Sequence, residues 1–181
     1  KSDFIKCDRL VVHTIDDLNR LKSLGFIANV SLFPHGILCL NSKSDQNIIK
    51  NTVNNLFKKK AKTKCISSFG FCLPNKGFKE LIHAIYILRQ RSFDIKLNLF
   101  CASYSEEYDW YYDEIIQLIQ NLDLMNVISV DNNYYSDSQI LNKLSLTELV
   151  VFPYQSSNES SSASVRVGLS TLKPVLVTPL K

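Results

Sequence analysis

Methionine and tryptophan occur once each, and glycine and proline five times each, in a chain of 181 residues. So little Gly and Pro excludes a collagen-like or low-complexity chain. No run reaches the roughly 18 apolar residues of a membrane span. The longest candidate, Leu146 to Phe152, is broken by Thr147 and Glu148 and reads as a strand. The N-terminal KSDFIKCDRL is charged and has no apolar h-region, so no secretory signal is expected. Cys7, Cys39, Cys65, Cys72 and Cys101 are odd in number and contain no C-x-x-C pair, which argues against both a zinc site and a disulfide framework. Several lie in strand-like runs, where a thiol is a small core residue, and a reducing cytoplasm suits them. His13, His35 and His83 offer no metal-ligand spacing, and no metal site is expected. The single Met is Met125 and the chain stops at PVLVTPLK, directly after a strand, so it is read as a piece of a longer protein.

Net charge is only +4, and much of the excess sits in KKKAKTK at 58–64, which reads as a solvated helix end or linker. Lys and Arg are not interleaved with aromatics on one element, so nucleic acid is not an expected partner. Hydrophobic residues make up 45% and charged residues 21%, an ordinary globular balance for one main domain.

What the chain does contain is alternation. Apolar, β-rich runs occur at 9–14, 29–33, 64–69, 95–101, 126–130, 147–153 and 174–178. Most are continuously apolar, the pattern of strands buried on both faces of a parallel sheet. Helical periodicity fills 15–24, 45–58, 78–91, 105–122, 137–145 and 160–172. Phe78, Leu81, Ile82, Ile85 and Leu88 mark one apolar face, and Tyr108, Tyr111, Tyr112, Ile115, Leu118, Ile119 and Leu122 another. The tyrosines read as core rather than as a base-stacking platform. The fold class predicted is α/β, a doubly wound, mostly parallel, Rossmann-like sheet. Residues 1–36 form the end of a preceding unit and the crossover, 37–63 a polar linker or helix, and 64–181 the main domain, incomplete at its C-terminus.

In such a sheet the chemistry belongs in loops that follow strands. Two stand out. In GFCLPNKGFKELIHA, Gly70 ends a strand, Pro74 and Asn75 make a turn, and Gly77 opens a helix with Lys76 beside it. Helix N-terminal N–H groups and an adjacent ammonium suit an anion, although a surface turn lysine is an equal reading of the local pattern. In YQSSNESSSASVRVGLS, the hydroxyls of Ser156, Ser157, Ser160, Ser161, Ser162 and Ser164 surround Glu159, which is placed at or near a helix N-cap. Arg166, seven residues on, returns to nearly the same helical face. Glu159 alternatively reads as a capping acid and Arg166 as a solvent-facing side chain.

Taken together, these segments resemble a known family. GFCLPNKGFKELIHA resembles the G-R-L-x-x-x-K-G loop of retaining GT-B glycosyltransferases, glycosyltransferase family 4. PYQSSNESSSASVRVGLSTLKPVLVT resembles their P-S…E-x-x-G-L-x-x-x-E-A-x-A-x-G-x-P-V-V signature. RLVVHT and NVSLFPHGI resemble the end of the N-terminal domain and the crossover into the second, so the chain corresponds to the C-terminal half of a GT-B architecture. The resemblance implies a hexosyltransferase that binds a nucleotide-diphosphate-sugar and transfers the sugar, with retention and without a metal, to an acceptor hydroxyl. That acceptor is a glycan, a lipid-linked saccharide or a protein, and any peripheral membrane contact lies in the facing N-terminal domain. No cofactor is implied beyond the donor substrate.

Carried over, Lys76 holds the diphosphate with the N–H groups around Ser161, Ser162, Ala163 and Ser164. Gly70, Phe71 and Gly77 line the same turn. Glu159 accepts from donor-sugar hydroxyls, and Asp131, Asn132, Asn133 and Tyr134 flank the base. Two positions depart from the family pattern: Phe71 stands where it has Arg, and Val167 where its second Glu binds ribose. Arg166, next to the lost Glu, is expected to supply the missing charge as a bidentate phosphate clamp. The separate chain is expected to bind donor weakly and transfer sugar poorly. His35, at the crossover, is a candidate near the acceptor, whereas His13 and His83 read as structural or surface residues. One rival reading is a non-catalytic nucleotide-sugar-type binding or scaffold module, which Phe71 and Val167 favour. An epimerase or dehydrogenase is disfavoured by the lack of G-x-G-x-x-G.

Overall fold

The computed structural model describes residues 6–37, 63–157 and 161–179. Two parallel sheets are present among them. The smaller pairs β1 (Leu10–Val12) with β2 (Val30–Leu32). Helix α1 (Ile15–Ser23) makes the crossover, and Thr14 caps it by accepting from the Asp17 N–H. The larger sheet holds β3 (Lys64–Phe71), β4 (Ile95–Ala102), β5 (Ile128–Asp131), β6 (Leu149–Phe152) and β7 (Val175–Val177). Its order is β5-β4-β3-β6-β7, and every pairing is parallel.

Four helices connect these strands: α2 (Phe78–Gln90), α3 (Asp109–Asn121), α4 (Asp137–Leu144) and α5 (Ala163–Ser170). The apolar stripes read from the sequence face the sheet. Phe78, Leu81, Ile82 and Ile85 of α2 and Tyr111, Ile115 and Ile119 of α3 are buried. They form one core with Leu97 and Leu99. A second core gathers Ile140, Leu141 and Leu144 of α4 with Val150, Phe152, Tyr154 and Val167. Each fully buried Leu, Ile or Phe contributes roughly 2 kcal/mol relative to exposure. Cys72 and Cys101 are buried thiols of the first core, whereas Cys7 is exposed.

The chain builds β3, β4 and β5 in one direction and then crosses to place β6 and β7 on the other side of β3. The β3–β6 gap is therefore the point where strand order reverses, and the crevice beyond its carboxyl ends is where such sheets hold ligands. Both segments singled out in the sequence follow these two strands. Gly70 differs from expectation in one respect: β3 runs on to Phe71, with Gly70 paired to Cys101 and Phe71 to Ala102. The expected helix at 45–58 and most of the expected linker lie outside the described residues. No described helix is long and apolar enough to cross a membrane.

Candidate functional site

Past β3 the chain makes a single tight turn, Pro74–Lys76, and Gly77 then caps α2 in the left-handed conformation, at φ 74°. That conformation favours glycine. The space does too, because a Cβ on Gly77 would overlap the carbonyl oxygen of Pro153, the first residue after β6. The two loops therefore touch backbone to backbone. Gln155 N–H donates to the Asn75 carbonyl at 2.9 Å, and Asn75 Nδ2 donates to the Ser156 carbonyl at 3.1 Å.

Lys76 is only 5% exposed, so it is not the surface turn lysine of the alternative reading. Its Nζ lies 4.3 Å from the centroid of the Tyr154 ring, a cation–π distance. Tyr154 is buried, and its hydroxyl is 3.2 Å from Ser162 Oγ. Ser162 is the N-cap of α5 and accepts from the Val165 N–H. Gly70 approaches from the other side, with the position of a Cβ there 3.7 Å from Ser164 Oγ. Lys76, Tyr154, Ser162, Ser164 and Gly70 thus form one continuous group at the carboxyl edge of β3 and β6. Tyr154 is the member that sequence reasoning missed. Its only signal was an aromatic residue just past the carboxyl end of a buried strand.

Glu159 and Ser160 lie outside the described residues. Glu159 is expected at or near an N-cap; the cap of α5 is Ser162, and the helix begins at Ala163. The seven-residue helical relation between Glu159 and Arg166 does not apply, since 159 precedes the helix. Ser161 is half-buried just before that cap, Ala163 is exposed in the first turn, and Ser164 is half-buried beside it.

Arg166 is placed by an unforeseen contact. Its Nη1 donates to the Gly36 carbonyl at 3.2 Å, joining α5 to the loop after β2. His35 in that loop stacks on His13, with ring centroids 3.4 Å apart. Val167 is 7% exposed and packs in the second core, so the apolar residue at this position is accounted for by packing.

Two recesses open along the same edge. One, of about 480 Å³, lies where β3, β4 and β5 end and is lined by Cys72, Ser103, Tyr108, Asp109, Tyr112 and Asn132. Its size is that of a small-molecule site. A smaller one, about 50 Å³, is apolar and lies between Gly70, Phe71, Phe100, Asn133, Tyr135 and Ser164. Asn132 and Asn133 therefore face different recesses. Phe71 is 39% exposed and meets the Tyr104 ring edge-on at 5.2 Å, and Tyr104 in turn meets Tyr108.

The loop after β5 is rigidified by Asp131. Its carboxylate accepts from Tyr135 Oη at 2.6 Å, from Asn133 N–H and Nδ2, and from Lys143 at 3.5 Å. Partial burial raises the Asp131 pKa, but the hydrogen bonds from Tyr135 and Asn133 and the Lys143 charge outweigh it and leave the carboxyl below its usual value. No group of three or more His, Cys, Asp or Glu residues placed to hold a metal exists among the described residues.

No protein-family model and no curated protein sequence matches the chain. Solved structures do. Sucrose-phosphate synthase from Thermosynechococcus elongatus superimposes with a TM-score of 0.72 at 14% identity, over 97% of this chain and 41% of that one. The HepE protein of Anabaena, crystallised with UDP and glucose, gives 0.67 at 17% identity, over 94% and 44%. The C-terminal domain of a group 1 glycosyl transferase from Francisella tularensis gives 0.54 at 16%, over 71% and 63%. The chain spans less than half the length of the first two. At these identities the likeness is one of fold: an α/β, Rossmann-like parallel sheet with the architecture of GT-B glycosyltransferase C-terminal domains.

Proposed function

We propose that the β3–β6 edge binds the diphosphate of a nucleotide-sugar and that the protein containing this chain is a retaining, metal-independent glycosyltransferase of the family 4 type, working in the cytoplasm. The observation that carries the reading is the convergence of Lys76 with the Ser162–Ser164 turn through Tyr154. A lysine shielded from bulk water, next to the first turn of a helix, strengthens its interaction with an anion.

In the reaction the bond between the anomeric carbon and the diphosphate oxygen breaks, and the leaving group takes the electron pair. The acceptor oxygen bonds to the anomeric carbon on the same face, and its proton passes to the departing diphosphate. Negative charge grows on the leaving oxygens. Lys76 and the N–H groups of Ala163 and Ser164 stabilise it, an effect worth several kcal/mol in preorganised sites. Glu159 holds the donor sugar, and Asn132 and Asn133 flank the base. The acceptor is a glycan, a lipid-linked saccharide or a protein, held mainly by a facing domain.

A thermal-shift panel of UDP, GDP, ADP and their sugars tests this, because a ligand that binds the native state raises its apparent stability. One nucleotide should stand out, and its effect should vanish in Lys76→Ala. Phe71 and Val167 favour a second reading, a non-catalytic binding or scaffold module. Saturation-transfer measurements that show no contact with any nucleotide-sugar would select it.

A further inference from the structure

Arg166, His35 and His13 come from α5, from the loop after β2 and from the end of β1, and they meet where the two sheets join. Arg166 Nη1 is committed to the Gly36 carbonyl. Its Nε is shielded from solvent and has no hydrogen-bond partner among the described residues. A shielded guanidinium N–H without an acceptor is unfavourable, and an anionic oxygen is its natural complement. His13 Nδ1 lies 2.7 Å from the Phe33 carbonyl, which can only accept, so this nitrogen carries the proton. His35 lies flat on that ring at 3.4 Å and 26°. Desolvation, the Arg166 charge and the His13 ring together hold His35 below the usual imidazole range. The carboxylates on the adjoining element are Asp16 and Asp17 of the first turn of α1, and Asp17 is engaged by the Thr14 hydroxyl at 2.8 Å.

We propose that His13, His35 and Arg166 form a binding site for a phosphate group, separate from the Lys76 group and lying between the two sheets. Two stacked imidazoles and a guanidinium supply donors from three directions, which suits a tetrahedral dianion better than a planar carboxylate. The proposal rests on the sugar-transfer reading only for the carrier of the phosphate, a phosphorylated acceptor.

The test is a titration of the 181-residue chain with inorganic phosphate, followed by the imidazole NMR signals, with His83 as the internal control on the exposed face of α2. The His13 and His35 signals should move saturably and His83 should not. Arg166→Gln and His35→Gln should each weaken binding about tenfold. Arg166→Lys, which keeps the charge and loses Nε, should weaken it as well.

Glycerol 3-phosphate and UDP separate the sources. Competition by the monoester alone assigns the acceptor, whereas competition by UDP would show that the site is not separate from the Lys76 group and would overturn the proposal. Equal responses of all three histidines would overturn the site, and so would an Arg166→Gln variant of native near-UV circular dichroism with unchanged affinity. If the variants fail to fold, the contrast between His35 and His83 in the wild-type chain still decides. Lys76→Ala removes UDP binding under the sugar-transfer reading but leaves inorganic phosphate at His35 untouched, so failure of either idea shows separately.

Discussion

The Lys76 ammonium lies 4.3 Å from the centre of the Tyr154 ring, and this contact joins the loop after β3 to the loop after β6. A buried cation on an aromatic face is worth up to ~2 kcal/mol when desolvated. The pair also fixes where the positive charge sits, because Tyr154 is itself held in the second core and reaches Ser162 through its hydroxyl. A double-mutant cycle with Lys76→Met and Tyr154→Leu should return a coupling of about 1 kcal/mol in urea unfolding. Strict additivity would show that the ring does not hold the lysine.

Gly77→Ala should be among the most damaging small substitutions in the molecule. It forces a Cβ onto the Pro153 carbonyl at a residue with φ 74°. The neighbour is backbone and cannot turn aside. A loss of roughly 3 kcal/mol in denaturant unfolding is expected, with nucleotide binding lost in parallel. A loss below about 1 kcal/mol would mean that the two loops are not in contact.

Gly168→Ala sets two effects against each other. Alanine favours a helix interior by about 1 kcal/mol over glycine. Its Cβ, however, would stand 2.6 Å from Phe152 Cε2 and 2.9 Å from Cζ. Phe152 is 1% exposed, so its ring has little room to yield. Overpacking of that kind costs about 1–3 kcal/mol and should win. The melting temperature should fall, and a rise would show that the ring moves freely.

Asp131 gives a pH signature. Its carboxyl titrates below the usual range when folded, so its contribution to stability is present above the unfolded value and disappears as pH falls through the folded one. Asp131→Asn should therefore be destabilising at neutral pH, and the gap from wild type should close as acid protonates the folded carboxyl. Lys143 has the opposite sign. Hydrogen bonding with Tyr135, the Tyr135 and Asp131 charges and the Asp131 contact together outweigh desolvation and raise its pKa. Its contribution is full at neutral pH and fades only in strong alkali. A gap that persists unchanged at low pH would remove Asp131 from this network.

Much of the architecture was legible in the chain because burial on two faces leaves a strong trace. The run at 95–101 is Ile95–Ala102 in the structure, and the stripe through Phe78, Leu81, Ile82 and Ile85 is the buried face of Phe78–Gln90. The role of Gly77 as helix cap was equally readable, since few residues suit that conformation. The site was read less fully. A cluster of serines offers several equivalent caps, and only three-dimensional context selects Ser162 over a residue three positions earlier. The Arg166 contact with Gly36 joins residues far apart in the chain and has no local pattern at all. Tyr154 carries an ordinary strand-end residue type, and its importance comes from what crosses over it. The departure at Val167 was visible, but its explanation, a place in the core beside Phe152, was not.

The most direct test of the account is calorimetric titration of the wild-type chain and Lys76→Ala with the nucleoside diphosphate selected by thermal shift. The account predicts saturable binding to the wild type and at least about a tenfold loss in the variant, the effect of removing a charged partner from a phosphate. Equal affinities, or no binding of any nucleoside diphosphate to a folded wild-type chain, would contradict it.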